Sequence, residues 1–221
     1  MKVLVIGANG KVGKILVDKL QNSKNHTPIA MIRKESQQDF FSRKGISTII
    51  GDLESSISSL ANMSQQVDAV VFVAGSGGHT DTDKTIQIDL DGAVKSIEAA
   101  KQAGVNRFIM LSGMYVDRIH DFEDDTKIDT ALAPYSIAKF YADEWLKNSG
   151  LNYTIIRPSH LTDEHGYGKI IAGDKLDYHT TSRENVALTI LNSLENENTI
   201  NKSFDMTDGE FEIEYALNKI N

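Results

Sequence analysis

Lys2-Val3-Leu4-Val5-Ile6-Gly7-Ala8-Asn9-Gly10-Lys11-Val12-Gly13-Lys14-Ile15-Leu16 is the stretch that decides how the rest of this 221-residue chain is read. Its first part, Val3 to Ile6, is a short unbroken apolar run, the mark of a strand buried on both faces. Three glycines follow, and from Val12 to Leu20 apolar residues return every three or four positions, as on a helix. In such a strand, turn and helix, Gly7 permits the tight turn. Gly10 keeps the backbone open to an approaching anion, and Gly13 lets helix and strand pack closely. The helix start adds free N–H groups and the positive end of a dipole, which suits phosphate. Three glycines alone would also fit a simple strand-to-helix turn, and their Gly-x-x-Gly-x-x-Gly spacing departs from the Gly-x-Gly-x-x-Gly form.

Outward from this unit the pattern repeats. Apolar runs at Pro28 to Ile32, Ser47 to Ile50, Ala69 to Val73, Arg107 to Leu111 and Tyr153 to Ile156 read as further buried strands. Helical periodicity fills Thr85 to Ala103 and Tyr135 to Asn148. Strands that alternate with helices imply crossover connections and a mostly parallel sheet. The expectation is an α/β, doubly wound Rossmann fold with strand order 3-2-1-4-5-6. Beyond Pro158 the pattern loosens into a loop through Gly166 and Gly168, a helix near Arg183 to Leu194, a strand at Ser203 to Met206 and a final helix. A single domain, 1–221, is expected, with residues 159–221 forming a small cap on the substrate side.

Composition narrows the function. A net charge of -8 argues against nucleic acid, which is bound through clustered Lys and Arg. The absence of cysteine removes thiolate metal sites, disulfides and a Cys nucleophile. No apolar run approaches the ~20 residues of a membrane span, and the chain starts on a strand-like run rather than a leader, so a cytoplasmic location is expected. His160 and His165, with Asp163 and Glu164 between them, lack the spacing of a metalloprotease helix and read as loop residues; no metal is expected. Ser76 is not in a Gly-x-Ser-x-Gly elbow, because position 74 is Ala. The acidic run Asp121 to Asp125 reads as an exposed loop that could edge a substrate mouth.

The second strand ends in Arg33-Lys34, where an NAD-specific site usually carries an Asp or Glu for the ribose 2′-hydroxyl. A guanidinium there suits the 2′-phosphate of NADP(H), which is favoured over NAD(H), although a solvated strand end would read the same way. Asp52-Leu53 after the third strand and Ala74-Gly75-Ser76 after the fourth complete a nucleotide crevice at strand ends. Tyr135 and Lys139 stand four residues apart, on one helical face. A phenol beside an ammonium can donate a proton to a carbonyl oxygen at neutral pH, the positive charge favouring phenolate. A second pair, Tyr215 and Lys219, has the same spacing, so position matters: Tyr135 opens the helix that follows the fifth strand and its Ser112-Gly113. A surface-packing role for the pair stays open.

These residues, from Gly7 through Ala74-Gly75-Ser76-Gly77, Asp89-Leu90-Asp91-Gly92, Ser112, Tyr135 and Lys139 to Arg157-Pro158, resemble the atypical short-chain dehydrogenase/reductases of the NAD(P)H-binding group. That group includes flavin and biliverdin reductase-like and NmrA-like proteins. The resemblance implies a cofactor site of Gly7, Asn9, Gly10, Lys11, Val12, Gly13, Arg33, Lys34, Asp52, Leu53, Ala74, Gly75, Ser76 and Lys139. Pro158 and Ser159 would run past the nicotinamide. It also implies catalysis by Tyr135, Lys139 and Ser112, although Gly113 stands where relatives often carry a second serine. The activity expected is NADPH-dependent reduction of a small carbonyl, quinone or flavin-like acceptor. The alternatives are an NADP-binding redox sensor acting through a protein partner, and a nucleotide-sugar epimerase or dehydratase.

Overall fold

Val3 and Val5 face one side of the first strand and Leu4 and Ile6 the other, and all four are buried. A strand covered on both faces requires layers above and below, and the computed structural model has them. It describes residues 1–77, 81–120 and 133–220. The acidic run at 121–125 lies outside the described residues.

The strands are β1 (Lys2–Ile6), β2 (Thr27–Ile32), β3 (Ser47–Ile50), β4 (Ala69–Phe72), β5 (Arg107–Leu111), β6 (Asn152–Pro158), β7 (His160–Thr162), β8 (Lys169–Gly173), β9 (Thr180–Ser182), β10 (Lys202–Asp208) and β11 (Phe211–Glu212). The helices are α1 (Lys11–Asn22), α2 (Gln38–Ser42), α3 (Ile57–Met63), α4 (Thr82–Lys84), α5 (Gly92–Ala103), α6 (Ala133–Lys147), α7 (Arg183–Glu195) and α8 (Ile213–Leu217). Nine strands form one sheet in the order β3-β2-β1-β4-β5-β6-β10-β8-β11. The first six keep the expected 3-2-1-4-5-6 order and run parallel.

Much of the segment expected as a cap extends this sheet. β10 lies parallel to β6, and β8 returns antiparallel along β10. The separate parallel pair β7 and β9 sits beside them. β8 begins at Lys169, directly after the glycines read as loop. Its residues alternate little in hydropathy, and pairing on both sides, rather than intrinsic propensity, makes it a strand.

One face of the sheet is covered by α1 and α7, through Leu16, Val17 and Leu20 against Val186 and Ile190. The other is covered by α3, α5 and α6, through Leu60, Ala93, Ile97, Ala142 and Leu146. The expected helix from Thr85 begins as a π-helical turn, Thr85–Asp91, before α5 takes over at Gly92. Such turns insert a residue into the helical register and often mark functional positions. Here the turn carries Asp89 into the interior, fully buried. Among the described residues, no helix is long and apolar enough to cross a membrane.

Candidate cofactor and active site

The glycine turn is built for close approach. Gly7 holds φ +91, and a Cβ on it would lie 2.5 Å from the Ala74 amide nitrogen. A Cβ on Gly13 would meet the Gly7 carbonyl oxygen at 2.2 Å. Both are backbone contacts that cannot give way. Gly10, the N-cap of α1, offers no side chain to the first amides of the helix, and the first turn holds no acidic residue. Those amides and the dipole behind them are left to an anion.

Beside this turn a cleft of about 480 Å³ runs along the C-terminal ends of β1, β2, β3 and β4. Gly7, Asn9, Gly10, Arg33, Asp52, Leu53, Ala74, Gly75 and Ser76 line it, so strand ends far apart in sequence meet around one cavity. This is the switch-point crevice of an open α/β sheet. Arg33 reaches it exposed, with no ion pair from its guanidinium among the described residues. Asp52 spends one carboxylate oxygen on the Glu54 amide, at 3.0 Å, which fixes its turn.

Other expected site residues stand further off. Lys11 is paired with exposed Asp163 at 2.6 Å. Val12 and Gly13 are buried in helix packing. Lys34 is exposed and does not line the cleft. The Pro158 carbonyl accepts from the Met114 amide at 3.1 Å. Ser159 donates its hydroxyl to the His179 carbonyl, which ties it to the strand end rather than to the cleft. Of the two histidines expected in a loop, His160 instead begins β7, which pairs with β9, and His165 after that strand pairs with Glu184 at 2.8 Å. Among the described residues no group of three or more His, Cys, Asp or Glu could hold a metal.

Next to the cleft, α6 presents Tyr135 and Lys139. Tyr135 is 36% exposed, yet its hydroxyl faces Gly113. Lys139 is buried, with its ammonium 5.7 Å from the Tyr135 ring centre. It lies 3.3 Å from Asp89 Oδ1 and donates to the Leu111 carbonyl at 3.4 Å. Burial pushes the Tyr135 phenol above its ordinary value; Lys139 opposes this, while Asp89 and Asp143 add to it. The sequence leads one to expect Lys139 to favour phenolate, but desolvation and two carboxylates outweigh it. Burial pulls the Lys139 ammonium down, but Tyr135, Asp89 and Asp143 together carry it upward, so it stays charged.

Ser112 is buried beside Asp143; its amide donates to the Ile156 carbonyl at 2.8 Å, while its hydroxyl makes no hydrogen bond of ordinary geometry. Asp143 belongs to a chain of charges: Arg157 bonds Asp143 and Asp117, each at 3.1 Å, and Arg118 bonds Asp205 at 3.2 Å. Burial, with Asp117 close by, pushes the Asp205 carboxyl up to about 6. Tyr115 takes φ +69 while stacking on Tyr178 and lying under the Arg118 guanidinium.

Three residues of the site carry no sequence signal. Gln37 lines the cleft, and its Oε1 accepts from the amides of Arg33 and Lys34 at 2.9 and 3.2 Å, which sets the turn that presents Arg33. Lys84, also in the lining, pairs with Glu54 at 2.6 Å across two strand-end loops. Asp89 is the third: Asp89-Leu90-Asp91-Gly92 is part of the resemblance, but nothing in that stretch shows that the Asp89 carboxylate turns inward toward Lys139.

A glycine-cradled crevice at the switch point of a parallel sheet, with a Tyr and Lys beside it, defines a Rossmann dinucleotide-binding protein of the atypical short-chain dehydrogenase/reductase kind. The chain belongs to the NAD(P)H-binding family, whose model matches residues 7–197. It is 44% identical, over the whole of both chains, to a Bacillus subtilis (strain 168) protein named "Uncharacterized sugar epimerase YhfK". It superposes with TM-score 0.90 and 37% identity, covering 99% of each chain, on a Bacillus halodurans structure provisionally named an NAD-dependent epimerase/dehydratase. The oxidoreductase ylbE from Lactococcus lactis aligns with TM-score 0.84 and 30% identity, covering 99% of this chain and 95% of its own.

Proposed function

We propose that this protein is an NADPH-dependent reductase of a small carbonyl, quinone or flavin-like acceptor. The observation that carries the reading is one cleft lined by the glycine turn, the Arg33 guanidinium and the Ala74-Gly75-Ser76 loop, with Tyr135 and Lys139 beside it. The turn fits a dinucleotide because glycine at 7 and 13 lets it close against the chain's own backbone at Ala74 and Gly7, which leaves the uncapped amides after Gly10 free to meet a diphosphate. The amides after Gly10 hold the diphosphate, Arg33 meets the 2′-phosphate, and Asp52 and Leu53 border the adenosine. Bound there, NADPH supplies a hydride from its nicotinamide C4 to the acceptor.

The chain's own part is to position and to protonate. Tyr135, which like any phenol is protonated at neutral pH, gives its proton to the oxygen that gains charge as the hydride arrives. The phenolate that results is held by the Lys139 ammonium and regains a proton from water. Lys139 also faces the ribose side. The step conserves charge: one hydride and one proton leave a reduced acceptor and NADP⁺.

A fluorescence titration of NADPH against NADH, followed by a panel of quinones, flavins and aldehydes, tests the reading. Tight NADPH binding with oxidation by at least one acceptor, lost in Tyr135→Phe, is expected. Tight binding with no oxidation across the panel would favour the redox-sensor reading instead. A second reading, epimerisation of a nucleotide sugar, is favoured by the epimerase names of two full-length relatives. It predicts interconversion of sugar epimers with no net cofactor oxidation, which proton NMR of the sugar would reveal.

A further inference from the structure

Among the described residues, Asp89 is the one fully buried carboxylate that touches both halves of the site. Its Oδ2 accepts from the Ser76 amide at 3.0 Å, in the loop that lines the cleft, and its Oδ1 lies 3.3 Å from the Lys139 ammonium. A Cβ on Gly75 would come within 3.1 Å of that Oδ1, so loop and carboxylate are packed together. The π-helical turn at Thr85–Asp91 gives Asp89 this inward place, and Gly92 after it passes Leu53 with only 3.1 Å to spare for a Cβ. An ordinary helix could satisfy its backbone without such a turn, and a buried anion needs a reason to be there.

We infer that Asp89 is a positioning residue that couples the cofactor loop to the proton donor, holding Lys139 in place and dividing its positive charge so that Tyr135 stays protonated until it is called on to donate. Burial of the phenol works in the same direction, as does Asp143, which also faces the pair; among the described residues Lys139 is the cation that opposes them. Without Asp89 the ammonium acts undivided on Tyr135, and the phenol ionises earlier. The Ser76 amide also loses its acceptor unless the replacement can supply one.

The inference rests on the reading of Tyr135 as proton donor, but its test does not require turnover. Carbon-13 NMR of protein labelled at tyrosine Cζ follows each phenol through a pH titration, with the Tyr135 signal assigned by its loss in Tyr135→Phe. Asp89→Asn keeps an acceptor for Ser76, while it removes the charge and the oxygen that faces Lys139. It is expected to lower the Tyr135 titration by roughly one pH unit or more, with NADPH affinity within about threefold of wild type. Asp89→Ala, which cannot accept from Ser76, should weaken NADPH binding by about tenfold as well. Coincident Tyr135 titrations in wild type and Asp89→Asn would overturn the inference. If Asp89→Asn does not fold, Asp89→Ser serves in its place, and failure of both to fold would assign Asp89 to structure alone. Activity unchanged in Tyr135→Phe would sink the catalytic reading without touching the titration.

Discussion

The hydroxyl of Tyr135 lies where a Cβ on Gly113 would be 3.5 Å away, an ordinary contact distance with no clash. The position at which related proteins often carry a serine is thus glycine here, with room for the hydroxyl. Gly113→Ser should fold with a Tm within about 2 °C of wild type and place its Oγ near the Tyr135 hydroxyl and the acceptor oxygen. One added hydrogen bond is worth about 1 kcal/mol, so kcat/KM for aldehydes should rise roughly fivefold. Steady-state kinetics with an aldehyde and NADPH read this out; a fall in activity would mean that the acceptor itself occupies the space beside Gly113.

Gly13→Ala tests the cradle. Its Cβ would be forced to 2.2 Å from the Gly7 carbonyl oxygen and 2.8 Å from Ala8 Cα, and neither backbone atom can move alone. Overpacking of this kind costs about 1–3 kcal/mol, which lowers Tm by about 2–4 °C for each kcal/mol in a chain of this size. NADPH affinity should fall by more than tenfold. Calorimetry with and without NADPH checks both, and a variant with wild-type Tm and affinity would contradict the packing described.

Arg157 holds two carboxylates beneath the site, one of them the fully buried Asp143. Arg157→Met leaves Asp143 in the interior without its cation and is expected to destabilise by about 3–5 kcal/mol. The double variant Asp143→Leu/Arg157→Met, which removes the pair together, should recover most of that loss. Urea unfolding of the three proteins gives the comparison, and equal losses in the single and double variants would show that the pairing is not what matters.

Asp205 adds a pH dependence. Its carboxyl is pushed up to about 6 in the fold, against about 3.9 in an unfolded chain. A carboxyl raised in this way stabilises the fold while it is protonated. That contribution is whole below about pH 4 and is lost as pH rises through about 6. The span of about two units corresponds to roughly 2–3 kcal/mol. In Asp205→Asn the group no longer titrates, so the stability of the variant relative to wild type should climb between pH 4 and pH 6.5. Unfolding curves across that range measure the difference, and a flat difference would mean that Asp205 is ionised throughout.

How much of this could be read beforehand follows from what each residue type reports. Most of the six parallel strands were legible because a strand covered on both faces must be largely apolar, as Val3 to Ile6 and Phe108 to Leu111 are. The order of those strands followed from the crossover helices. The short strands β7, β8, β9 and β11 were not legible, since two to five residues are too few to show a period and their pairing is set by neighbours distant in sequence. In the site, Gly7, Arg33, Asp52 and Ala74 were legible because each ends a strand. Asp89 was invisible in its role, because the π-helical turn shifts the periodicity by which inward and outward positions are told apart. Gln37 was invisible too, since it acts through backbone amides, which leave no trace in residue spacing.

Cofactor choice in this protein depends on Arg33 meeting a phosphate in the cleft. Isothermal titration of NADPH and NADH into wild type and Arg33→Ala measures this directly. A charge-assisted contact of about 1.5–3 kcal/mol predicts that wild type binds NADPH about 10- to 150-fold more tightly than NADH, and that Arg33→Ala erases the difference while leaving NADH affinity unchanged. Equal affinity for the two cofactors in wild type, or a preference that survives Arg33→Ala, would contradict it.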